Sequence, residues 1–178
     1  MKKSCLLFLL ASGISSLNAQ SAVKMNPAET FAARKGTILE KRFDEVGKVG
    51  MLNIQVEYIS DLSNNDKMRC IRFDIQAGDN TSGPSALLDS NEANEIISFL
   101  NSINANVMNH SPVDPNTEIS YTTTYNIQVG CFWQKNNGWV LFMRIDSQNP
   151  ATETGFSQSD LGLLLKTLTT AKTEIQKS

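Results

Sequence analysis

Apolar and polar residues alternate most clearly in two stretches of the chain. Leu52, Ile54, Val56 and Tyr58 alternate with Asn53, Gln55 and Glu57, and Ile71, Phe73 and Ile75 recur at every second position within residues 69–75. A period of two is that of a half-buried strand. Matching the apolar faces of an antiparallel pair sets Tyr58 opposite Ile71, Val56 opposite Phe73 and Ile54 opposite Ile75. The turn then centres on Asn64-Asn65, residues that tolerate positive φ. This register also puts Glu57 opposite Arg72 and Cys70 beside Ile59, away from the main core.

A second hairpin follows from Tyr121, Tyr125, Ile127, Val129, Cys131 and Trp133, taken as one long strand, and Trp139, Leu141, Met143 and Ile145 on the next. A three-residue loop Asn136-Asn137-Gly138 brings Trp133 to Leu141, Cys131 to Met143 and Val129 to Ile145, with the glycine left-handed. On the opposite face Phe132 meets Phe142 and Gly130 meets Arg144. Gly130 is expected to mark a bend in the long strand.

Two segments have helical spacing instead. Asp89-Ser90-Asn91-Glu92 has the form of a capping box and is followed by Ala93, Ile96, Ile97, Leu100 and Ile103. Near the end of the chain, Ser157 or Ser159 can cap a helix with the stripe Leu161, Leu164, Leu165, Leu168 and Ala171, extended by Ile175. Each stripe covers one face and calls for one sheet face to bury it. The order ββαββα predicts an α+β fold, a mainly antiparallel sheet of two β-hairpins with both helices packed on one face. Residues 37–43 are a candidate extra N-terminal strand.

The start of the chain reads differently. Met1-Lys2-Lys3, a short apolar run over residues 5–14 and Leu17-Asn18-Ala19-Gln20 form a secretory signal peptide, 1–19, cleaved near Ala19. The run is shorter than the roughly 20 residues that span a bilayer, so no membrane insertion is expected after cleavage. Residues 20–36 are small and polar and read as a flexible N-terminal arm, although Asn26-Pro27-Ala28-Glu29 has the form of a capped helix start. A helix that short is marginal unless it docks. Residues 37–178 then make a single α+β domain in a periplasmic or secreted protein.

Export changes how charge and cysteine are read. The 178 residues carry 16 Lys+Arg and 18 Asp+Glu; removing Lys2 and Lys3 with the signal takes the net charge from −2 to −4. That balance argues against nucleic acid as the partner. An oxidising compartment raises the question of a Cys70–Cys131 disulfide, but the two fall on opposite strand faces, so separate thiols are expected.

Catalytic signals are weak. His110, the only histidine, lies in Asn109-His110-Ser111-Pro112-Val113-Asp114, too close in sequence to its neighbours for the geometry of a triad. Cys5 leaves with the signal, and one histidine and the two separated cysteines that remain form no zinc set, so neither metal nor cofactor is expected. The oxygen-rich turn Asp61-Leu62-Ser63-Asn64-Asn65-Asp66 lacks the EF-hand glycine and closing glutamate. Asp74 with Asp79, or Asp114 with Glu118, are nominal acid pairs whose separation the sequence does not fix. The aromatics remain. Phe132 and Phe142, an apolar pair on a polar face, mark a candidate ligand or interaction surface, and Trp133 and Trp139 mark a platform if the helices leave that face open. The expected function is a non-enzymatic binding or interaction module whose partner is a protein, a glycan or a second copy of the chain. The competing expectation is a cell-envelope hydrolase acting on glycan with paired acids and an aromatic platform.

Overall fold

The structure is a computed structural model that describes residues 24–77 and 81–177. The expected signal peptide, Cys5 and Asp79 lie outside them. The chain is α+β with antiparallel sheets, but its order is αββββαββββα: α1 (Pro27–Ala32), β1 (Leu39–Val49), β2 (Leu52–Asp61), β3 (Lys67–Ala77), β4 (Thr81–Leu88), α2 (Ser90–Asn106), β5 (Glu118–Thr122), β6 (Gln128–Gln134), β7 (Gly138–Arg144), β8 (Glu153–Ser157) and α3 (Leu161–Ile175). Two four-stranded sheets, ordered β1-β2-β3-β4 and β5-β6-β7-β8, replace the expected single sheet of two hairpins. Each half of the molecule is a meander followed by a helix.

The four strands with apolar alternation are the interior ones, β2, β3, β6 and β7; of the edge strands the pattern caught only parts, since the candidate strand at residues 37–43 overlaps the first half of β1 and Tyr121 lies in β5. β1 is exposed or half-buried along all but its last residue, because Glu40, Lys41, Arg42, Asp44, Glu45 and Lys48 leave its apolar content thin. β4 carries Pro84, which lacks a backbone donor and is tolerated at the edge of a sheet. The supposed long strand from Tyr121 to Trp133 is two strands. Asn126, at φ 73°, and the Thr123 N–H donating to the Ile127 carbonyl (2.8 Å) turn the chain back between β5 and β6.

Both hairpin registers differ from the expected ones by two residues. Val56 faces Ile71, Ile54 faces Phe73 and Leu52 faces Ile75. In the second hairpin Trp133 faces Trp139, Cys131 faces Leu141 and Val129 faces Met143. A shift of two keeps every side chain on its assigned face, which is why alternation alone does not detect it. Loop chemistry decides the matter. Asp61 N–H donates to the Asp66 carbonyl (2.8 Å) with Asn65 left-handed, and Asn137 N–H donates to the Gln134 carbonyl (3.0 Å) ahead of Gly138 at φ 74°. The second loop therefore has three residues, Lys135 to Asn137, between the paired Gln134 and Gly138.

The inner faces of both sheets and the stripes of α2 and α3 share one core, containing Leu52, Ile54, Ile71, Phe73, Ile96, Leu100, Cys131, Leu141, Met143 and Leu164. α3 packs on β1, β2 and β3 as well as on α2. A smaller cluster lies on the outer face of the first sheet, where Ala28 and Phe31 of α1 meet Ile59, Cys70 and Leu87. α1 thus docks within the stretch read as an arm. Its capping box forms: Glu29 N–H donates to Asn26 Oδ1 (2.8 Å), and Asn26 N–H to Glu29 Oε2 (3.1 Å). Among the described residues the two cysteines, Cys70 and Cys131, belong to different clusters and both are free thiols.

Candidate functional site

The residues expected to form an interaction surface divide between two faces. Trp133 and Trp139 lie on the core face, packed edge to face with centroids 5.5 Å apart. Trp139 is 3% exposed and its indole N–H donates to the His110 carbonyl (2.7 Å). Phe132 and Phe142 lie on the reverse face, 6.2 Å apart along a diagonal, because Phe132 pairs with Val140 and Phe142 with Gly130. Phe142 is buried: its ring lies over Gly130, with the Arg144 guanidinium 5.2 Å from the ring centre. Gly130 is therefore no bend. It is the floor that lets an aromatic ring lie flat on the sheet.

The other polar candidates are occupied locally. His110, Ser111 and Asp114 are exposed, and Asp114 Oδ1 accepts from the Asn116 N–H (2.8 Å). In the oxygen-rich turn, Asp61 accepts from the Thr37 hydroxyl, from Ser63 N–H (2.9 Å) and from Arg34 (3.2 Å), while Arg34 also reaches Asp66 (2.7 Å). The Thr37 hydrogen bond, with help from Ser63 and Arg34, holds the Asp61 carboxyl below its ordinary range. A guanidinium thus fills the place a cation would take. No group of three or more His, Cys, Asp or Glu among the described residues is arranged to hold a metal ion. Asp74 pairs with Arg72 (2.8 Å), and Arg72 and Lys41 both approach the fully buried Glu57, at 3.4 and 3.0 Å. The expected Glu57–Arg72 pair thus exists as a diagonal contact, since Glu57 faces Cys70 and Arg72 faces Gln55. The Lys41 contact is an ion pair without hydrogen-bond geometry.

A groove that the sequence did not single out lies at the turn-proximal end of the first sheet. Strand register builds it as two rows across β1, β2 and β3: Arg42–Tyr58–Arg69, and next to it Glu40–Ser60–Lys67. These six side chains, with Ile59 and Met68, line a cavity of about 320 Å³ to which no helix contributes. The Arg42 guanidinium carbon is 4.1 Å from the Tyr58 ring centre and that of Arg69 is 5.7 Å from it, so the phenol holds a guanidinium on each flank. Arg42 has one marginal carboxylate contact, Asp44 at 3.5 Å. Among the described residues neither Lys67 nor Arg69 is in a salt bridge. Three cations against one lining acid make the groove positive in an acidic chain. A sequence signal existed in the alternation Lys67-x-Arg69 beside Tyr58, but it becomes a site only once register aligns it with Arg42.

Two further cavities flank α1, one of about 410 Å³ reaching Arg72 and one of about 340 Å³ reaching Tyr125. Both are seams between the docked helix and its support. Among the described residues no helix is long and apolar enough to cross a membrane. No family model and no curated protein matches the chain. Among solved structures it is similar to the crystal structure of WHY1 from Arabidopsis thaliana, at 8% identity and a TM-score of 0.30 over 80% of this chain and 86% of that one, a superposition too loose to bear on fold or function.

Proposed function

We propose that the chain is an exported, non-enzymatic binding module whose working surface is the groove around Tyr58. The observation that carries this reading is the Arg42–Tyr58–Arg69 row, two guanidiniums set against one ring in a concavity built from strands alone. Cations preorganised on a rigid sheet lose less conformational entropy on binding than the same residues on a loop. The signal-like sequence at the amino terminus supports export to the periplasm or beyond the cell, where glycans and proteins would be the ligands to test.

Expressed in a bacterium with its own N-terminus, the protein is expected in the periplasmic or culture fraction with a chain beginning at Gln20. In a thermal-shift screen, ligands that bind only the native state raise the midpoint, and Tyr58→Ala is expected to abolish those shifts. Turnover of any member of a glycan-hydrolase panel that is lost on substituting Asp114 or Glu118 would overturn the reading. So would ligand shifts indifferent to Tyr58→Ala.

A further inference from the structure

We infer that the ligand of this groove is a sugar acid, a compact hydroxylated molecule whose single carboxylate is held by Arg42 and Arg69; this rests on the binding-module reading above. Charge comes first. The guanidiniums flank Tyr58 in one cross-strand row, so an oxyanion entering the groove meets a charge-assisted donor on either side of the ring. Lys67, one row on, adds a point charge.

Glu40 narrows the class. It sits in the row Glu40–Ser60–Lys67 and lines the same cavity, so a ligand in the groove meets a carboxylate acceptor beside the cations. A bare polyvalent anion offers Glu40 no donor and sets its charge beside that carboxylate, whereas a molecule with hydroxyl donors next to its carboxylate satisfies Glu40 and Ser60 together. Size agrees, because about 320 Å³ lies at the small end of ligand sites and suits one sugar unit. The net charge of −4 left after signal removal disfavours a long polyanion over a singly charged ligand.

The test is calorimetric titration of the purified protein with galacturonate, galactose, acetate and inorganic phosphate, followed by amide chemical-shift mapping. Galacturonate is expected to bind with shifts centred on residues 40–42, 58–60 and 67–69, and galactose and acetate at least about tenfold more weakly. Arg69→Gln and Arg42→Gln should each weaken galacturonate about tenfold or more while lowering the unfolding midpoint by no more than about 4 °C, the loss of one cation–π contact to Tyr58. Glu40→Gln should reduce the preference for galacturonate over acetate. Galactose binding in the groove as tightly as galacturonate would overturn the sugar acid while leaving a binding module in place. Phosphate binding more tightly than galacturonate would overturn the hydroxylated monoanion, again without touching the broader reading. Galacturonate shifts that avoid the groove, or no galacturonate binding, would overturn the inference, and loss of every ligand's groove shifts would overturn both.

Discussion

Gly130 shows how much one missing methyl group decides. A Cβ built there would lie 2.7 Å from the Ile119 carbonyl oxygen and 2.7 Å from two ring carbons of Phe142. The ring can tilt away; the carbonyl, fixed in the β5–β6 ladder, cannot. Gly130→Ala is therefore expected to cost about 1–3 kcal/mol in urea unfolding. Gly155, on the other side of Phe142 in the same cross-strand row, is the control. Its Cβ would meet only the Leu141 carbonyl oxygen at 3.9 Å, so Gly155→Ala should shift stability by no more than about 0.5 kcal/mol. The cysteines show the same dependence on surroundings. Burial pushes the Cys70 thiol up to about 12 and the Cys131 thiol up to about 11, each helped by a nearby acid, Glu57 and Glu118 respectively. At pH 8 the thiolate of Cys131 is about one part in a thousand and that of Cys70 smaller still. Both should resist an aromatic disulfide reagent in native buffer and react when the chain is unfolded; prompt reaction of the native protein would contradict their burial.

At the scale of elements, legibility follows the number of neighbours. The interior strands β2, β3, β6 and β7 have a partner on each side and bury one full face, so the sequence must alternate there. α2 and α3 must each carry an apolar stripe for the same reason. Edge strands have one partner and use charge or proline to discourage further pairing, which erases the signal that would reveal them. That is why β1 beyond Phe43, β4, β5 before Tyr121 and β8 were invisible while α2 and α3 were plain. The groove was hidden for a related reason: its six polar side chains come from three strands, one of them an edge, and only the register unites them. α1 is the intermediate case, because its capping signal is local and readable but its docking is not. Phe31 is 6% exposed, set among Ile59, Cys70 and Leu87 with the Arg34 guanidinium 4.0 Å from its ring centre. Phe31→Ala should cost about 3 kcal/mol and undock the helix, read as faster amide exchange in residues 26–33. Unchanged exchange there would show that capping holds the helix without packing.

At the scale of the molecule, a single carboxylate ties three distant segments together. The sequence casts Glu92 as the reciprocal partner of a capping box at Asp89, but the Asp89 side chain caps alone, accepting from Asn91 N–H (2.8 Å) and Glu92 N–H (2.9 Å). Glu92 turns inward and is fully buried. Its Oε2 accepts from Asn26 Nδ2 (2.7 Å) at the start of α1, and its Oε1 from the Thr123 hydroxyl (2.8 Å) in the β5–β6 turn. Asn26 Nδ2 also donates to the Leu87 carbonyl at the end of β4 (2.5 Å), and Thr123 Oγ1 accepts from Ile127 N–H (3.0 Å). Burial pushes the Glu92 carboxyl up to about 7; the two hydrogen bonds oppose this, and the charges of Asp89 and Glu29 add to it. The sign follows. Between about pH 4.5 and pH 7 the native protein holds a proton that the unfolded chain has lost, so Glu92 favours folding most at the acid end, and its contribution falls as pH rises through 7. The full span is roughly 3 kcal/mol. Glu92→Gln keeps a donor for Thr123 and an acceptor for Asn26 without a charge. It should match the wild type near pH 5 and exceed it in unfolding free energy at pH 8, with the difference growing across the interval. Taking that difference removes the opposite trend of carboxylates such as Asp61, which are stabilised in the ionised form. A pH-independent difference between the two proteins would show that the joint accommodates the charge at no cost.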